Sequence, residues 1–187
     1  GEFPSWRVQM MEEFAEDGAA FVSIHATDPD LLKEIDSKRV ARASKAAGVA
    51  MKTFREYTMN DKVTWSVISI PTEAWAQKIF PDKSADEAVQ ALWDEIIKMV
   101  RIDEEDTIAA WNKHNEVLEK AYKRLNEKQY ASLHLTAPGT DIEVGLAKNH
   151  VWQGGAAISE KGTVFNPNMP TEEVFTAPHK YLVNGTV

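Results

Sequence analysis

Apolar and polar positions alternate at a helical period over residues 6–17, and Gly18 stands where such a helix would stop. AAFVSIH, residues 19–25, is a short apolar run between Gly18 and Thr27-Asp28-Pro29, which predicts a buried strand. The helical period returns over residues 29–59. Gly48 interrupts it, and Lys38, Arg39, Arg42 and Lys45 mark a wet face. VTWSVISI, residues 63–70, is a second apolar, β-rich run. Strand, helix, strand in this order predicts a βαβ unit with two parallel strands and a right-handed crossover.

Pro71 is expected as the first-turn proline of a helix through PTEAWAQKIF. Ser84 and Glu87 fit a capping box, with Leu92, Ile96 and Val100 following at helical spacing. Asp106 is a candidate N-cap for a charged helix reaching about Gln129. Beyond it the period changes. SLHLTAPGTDIEVGL alternates around Pro-Gly-Thr-Asp and predicts a hairpin with a longer turn. HVWQGGAAI, GTVF and EEVFT predict further short strands. The expected fold is an α/β N-terminal part, residues 1–106, followed by a linking charged helix and a mainly β region, residues 107–187.

Composition narrows the classes of function. The 187 residues carry 29 acids against 21 bases, a formal net charge of −8. Lys and Arg form no dense stripe, which argues against nucleic acid, where phosphate neutralisation dominates binding. No apolar run approaches the roughly eighteen residues of a membrane helix. GEFPSWRVQMMEEF lacks the basic-then-apolar order of a secretory leader, so none is expected there. With no cysteine there are no disulfides and no thiolate ligands, which is compatible with a reducing compartment.

NPNMPTEEVFTAPHKY, residues 166–181, sets Glu172 and Glu173 between prolines and an apolar pair. On a strand, neighbouring side chains point to opposite faces, so the two carboxylates could not share one wall. Local sequence favours two solvated acids near a turn. The alternative is one inward carboxylate, aimed by the stiffness of Pro167 and Pro170 and needing a cation partner. None of the five histidines makes an H-x-H or H-x-x-x-H pair. His114 is expected on the helix surface, and His134 hydrogen-bonded in a sheet. His25 ends a strand at the carboxyl edge of the βαβ unit, where ligands often sit. His179 and Glu173 together fall short of the three protein ligands a catalytic zinc needs. The acids at 103–106 are expected to favour the dipole of the helix that follows. Trp152-Gln153-Gly154-Gly155 is neither a dinucleotide nor a phosphate loop, and reads as a bulge or close backbone approach.

Longer stretches carry more. WSVISIPTEAWAQKIFP, LWDEIIKMVRIDEEDTIAAWNKHN, LNEKQYASLHLTAPGTDIEVGL, HVWQGG and FNPNMPTEEVFTAPHKYLVNGTV, in this order, resemble the M29 family of metallo-aminopeptidases (aminopeptidase T, aminopeptidase S and PepS type). The resemblance runs roughly from Phe3 to the end, and NPNMPTEEVFT is its most specific part. It implies cytoplasmic, dimeric exopeptidases that remove N-terminal residues from peptides. It also implies an N-terminal α/β domain and an α+β catalytic domain holding two divalent metal ions (zinc, cobalt or magnesium). The family's glutamate immediately before Val-Phe-Thr is a metal ligand and corresponds to Glu173. Glu172 and His179 are not carried over. The remaining ligands, a second glutamate, a histidine and an H-x-D pair, belong to later family segments, and no H-x-D occurs here. An internal fragment, inactive alone, is therefore expected. The rival expectation is a stand-alone α/β module that binds a small ligand at the crevice near His25 and Ile70.

Overall fold

A computed structural model describes residues 3–187. The chain forms two compact units. One takes in the chain up to Glu105 together with Ala156–Pro170, and the other Asp106–Gly155 with Thr171–Val187.

The first unit opens with α1 (Ser5–Glu16), which ends before Gly18 at φ +78°. β1 (Phe21–His25) follows, but the expected burial does not: Phe21 is half-buried and Val22 to His25 are exposed, because the apolar cluster forms between α4 and α5 and not on this strand. The expected helix over 29–59 is three pieces. Residues 29–35 form successive turns, because the Asp28 carboxylate accepts from the Asp30 amide at 2.8 Å and starts a tight reversal. Asp36 then caps α2 (Ser37–Ala50), accepting from the amides of Lys38 and Arg39. The interruption falls at Met51 rather than at Gly48. Met51 leaves the helical region, with φ −89° and ψ 15°, and α3 (Lys52–Met59) restarts from it. Gly48 lies inside α2, where its cost is entropic and does not break the helix.

β2 (Trp65–Ser69) pairs parallel with β1, Phe21 opposite Trp65 through His25 opposite Ser69, which bears out the expected βαβ unit. Phe54 of α3 meets Phe21 edge-on at 5.0 Å, and the Trp65 indole donates to the Thr58 carbonyl at 2.9 Å. These two contacts fix the crossover helix against the sheet.

Pro71 does not occupy the first turn of the next helix. Thr72 is the N-cap, its hydroxyl accepting from the Trp75 amide, and α4 runs Glu73–Ile79. The proline instead precedes the cap, where its fixed φ still favours an extended entry. α5 (Ala85–Met99) begins with the expected capping box. The Glu87 carboxylate accepts from the Ser84 hydroxyl and amide, and these bonds hold its pKa below the usual carboxylate range. Ala76 of α4 packs with Ala88, Leu92 and Ile96 of α5 and with Val100, while Trp75, Phe80, Val89 and Met169 close the cluster.

The second unit begins with α6 (Thr107–Lys128), capped by the Asp106 carboxylate on the Ala109 amide at 2.9 Å. β3 (Ser132–Ala137) and β4 (Thr140–Leu146) form the expected hairpin, but its turn is short. Ala137 pairs with Thr140, leaving only Pro138 and Gly139 between the strands. Gly139 sits at φ +83°, and proline followed by a positive-φ residue is what a type II turn requires. The remaining strands are mostly two residues long. β5 is Gln153–Gly154, β6 Ala157–Ile158, β7 Val164–Phe165, β8 Asn168–Met169 and β9 Val174–Phe175. β10 (Pro178–Thr186) pairs antiparallel with β4.

β6 and β7 pair within the first unit, and β8 adds to β2 as a third parallel strand. β5 and β9 pair within the second. The mixed fold is therefore as expected: a parallel sheet with helices, then an antiparallel region. Among the described residues no helix is long and apolar enough to cross a membrane.

Leu92 is 3% exposed at the centre of the α4–α5 cluster. Leu92→Ala is expected to lower stability by about 3 kcal/mol, through lost burial and the cavity left behind. Urea denaturation should show a lower midpoint at unchanged slope.

Candidate functional site

Glu173 is exposed and lies one residue before β9, not on it. Glu172 is exposed too, so the inside–outside split expected of a strand does not arise. The reason is local. The Glu173 carboxylate curls back to accept from the Glu172 amide at 3.0 Å, so that amide serves a side chain and not a ladder.

What holds this irregular stretch comes from α6. Trp111 and Leu118 are buried, and His114 lies on the same helical face between them. The expectation of a surface histidine is overturned. The His114 side chain is only 14% exposed, stacks edge-on against Trp111 at 5.8 Å, and its Nε2 donates to the Thr171 carbonyl at 2.6 Å. The same nitrogen lies 3.5 Å from a carboxylate oxygen of Glu172. Its place at the third and fourth positions from two buried apolar residues was the available signal in the sequence.

Downstream, β5 holds Val174 and Phe175. Gly154 pairs with Val174 and Gln153 with Phe175. A Cβ built on Gly154 would stand 2.7 Å from the Glu173 carbonyl oxygen and 2.9 Å from Val174 Cγ1. The glycine is there because two backbones approach closely, as the WQGG reading anticipated. Asn126 of α6 in turn holds Trp152, donating to its carbonyl at 2.9 Å and accepting from its amide at 2.8 Å. Gln129 donates to the His150 carbonyl, and the Thr176 hydroxyl to that of Val151.

The other histidines lie apart from this stretch in their bonding. His134 meets Asp141 at 2.7 Å on the exposed hairpin, as expected of a sheet histidine. His150 is buried, with Nδ1 3.0 Å from the Ala147 carbonyl. His179 is exposed and accepts from the Tyr181 amide at 3.3 Å. In the first unit, the strand ends near His25 are tied directly together. The Ile70 amide donates to the His25 carbonyl at 3.0 Å, and the Thr72 hydroxyl to the Thr27 carbonyl at 3.2 Å. Among the described residues no group of three His, Cys, Asp or Glu is placed to hold a metal ion. Glu173 offers an exposed carboxylate, a hard oxygen donor of the kind divalent ions take.

Comparison with known proteins places the chain among the metalloproteases. It belongs to the thermophilic metalloprotease family M29, whose sequence profile matches residues 1–187. Aminopeptidase 2 of Geobacillus stearothermophilus is 54% identical over 186 residues, which cover 100% of this chain and 45% of that protein. Aminopeptidase AmpS of Bacillus subtilis is 47% identical over the same shares. The solved structure of wild-type AmpT from Thermus thermophilus superposes with a TM-score of 0.85 at 38% identity, covering 97% of this chain and 44% of that one. The chain therefore spans less than half the length of these relatives.

Gly154→Ala forces a backbone contact to give way. Stability of the second unit should fall by about 1–3 kcal/mol, as for other overpacked sites. Faster hydrogen exchange at the Val174 amide would locate the loss at β5–β9.

Proposed function

We propose that these residues belong to a metal-dependent aminopeptidase that releases N-terminal residues from peptides, and that Glu173 is one of its metal ligands. The observation that carries the reading is the family match along the whole chain, with aminopeptidases 54% and 47% identical over 186 residues. On this reading residues 1–106 belong to an N-terminal α/β domain. Residues 107–187 supply a linking helix and the start of the catalytic domain.

Two divalent ions, zinc, cobalt or magnesium, are the proposed cofactors. When bound, such a pair lowers the pKa of a shared water and polarises the scissile carbonyl. This chain's own part is narrower. The Glu173 carboxylate is a hard oxygen donor on a short stretch held at both ends, by His114 on Thr171 and by β5 on Val174. The peptide is the substrate class, and a cytoplasmic homodimer is the proposed setting. These last attributes rest on the family resemblance.

In the full-length protein, Glu173→Gln should lower bound metal and turnover together. The fall should exceed the roughly 10–100-fold that loss of an outer-sphere partner costs. Unchanged metal content by elemental analysis would falsify the ligand assignment. Residues 1–187 alone should give no metal-dependent release from leucine or arginine amide reporters. Release that survives a contaminant control would show that the described residues suffice.

A further inference from the structure

We propose that His114 is a positioning residue for Glu173. The inference rests on the reading of Glu173 as a metal ligand and adds what aims it.

Glu173 sits between two anchors of different kind. The downstream anchor is backbone pairing, Gly154 with Val174. The upstream anchor nearest Glu173 is a side chain, since the Thr171 carbonyl accepts from His114 Nε2 at 2.6 Å; the chain before it is next held at Met169, paired with β2. Thr171 is 5% exposed, so its carbonyl gains little from water if that donor is lost. Accepting at Thr171 requires that Nε2 carry the proton, which fixes the ring's orientation on α6 as well as its protonation at that atom. A 22-residue helix is a rigid support, and packing against Trp111 leaves the ring little freedom.

The next links run through the main chain. Glu172 Oε2 lies 3.5 Å from the same nitrogen, and the Glu172 amide is the group that the Glu173 carboxylate accepts from at 3.0 Å. His114 therefore sets the peptide on which the Glu173 carboxylate rests. Without it, the Thr171–Glu172 peptide could rotate between the paired residues Met169 and Val174, and a ligand displaced by more than about 0.5 Å coordinates poorly. A histidine that orients a ligand without touching the metal is an outer-sphere support, whose loss typically costs about 10–100-fold in affinity.

The test uses the full-length protein with Co2+ alone as the probe, titrated by its visible absorption. His114→Leu removes the donor, and His114→Gln keeps an N–H at the same reach. His114→Leu should weaken Co2+ binding by about tenfold or more and speed amide exchange at residues 172–173 in the metal-free protein. His114→Gln should recover most of both. Unchanged Co2+ affinity in His114→Leu overturns the proposal, as does a loss that His114→Gln shares in full. If His114→Leu does not fold, His114→Gln is compared with His114→Asn, whose amide is set back by one methylene. Weaker Co2+ binding by the asparagine variant supports positioning, and equal binding overturns it. Glu173→Gln in the same series separates the two ideas. Unchanged Co2+ affinity there removes the ligand reading and this inference with it. A large loss there with none in His114→Leu overturns the positioning role alone.

Discussion

The second unit depends on one helix satisfying backbone that has no ladder of its own. Residues 147–155 and 171–176 form only the two-residue pair β5–β9, so most of their amides and carbonyls need other partners. α6 supplies several of them. Asn126 bonds both main-chain groups of Trp152, Gln129 the carbonyl of His150, and His114 that of Thr171. Buried Trp111 and Leu118 on the same helix give the apolar half of the contact. A short, irregular stretch thereby acquires a defined course without becoming a strand.

That arrangement suits a ligand carboxylate. A metal site needs its donors held closely while their side chains stay accessible to the ion. On the proposed reading Glu173 answers to both, since the residue is exposed and its main chain is held by neighbours on either side. The first unit is built on a different principle. There the parallel strands β1, β2 and β8 give a hydrogen-bonded frame, and most of the buried apolar side chains are those of the α4–α5 cluster. Met169 of β8 joins that cluster, so the residues just before Thr171 are packed into the first unit's core.

Much of the fold was legible because its determinants are local. Asp106 caps α6, Ser84 and Glu87 cap α5, and the apolar runs at 19–25 and 63–70 form parallel strands. Each signal lies within a few residues of its effect. The misreadings were also local competitions. Asp28 and Asp36 used their side chains to bond backbone amides, which turned an expected helix into turns and a later cap. Thr72 took the cap next to Pro71, and Pro138-Gly139 closed a hairpin that needed no longer loop. Around Glu173, the glycine pair after Trp152 marked the close approach of Gly154, while the link from His114 to Thr171 left no mark beside Thr171.

By itself the sequence determined most of the element types, the caps of α5 and α6 and the family, since these follow from spacing, side-chain chemistry and collinear motif. Tertiary structure alone decided that Asn168–Met169 adds to the parallel sheet and that Ala156–Pro170 belongs with the first unit. It alone brought His114 to Thr171 across 57 residues, and Gly154 against the Glu173 carbonyl. Such contacts join groups far apart in the chain. The sequence near each partner marks one side of the contact, His114 by its helical spacing and Gly154 by its glycine pair, but only packing chooses the partner, because a buried carbonyl needs a donor and a close backbone approach needs the missing Cβ.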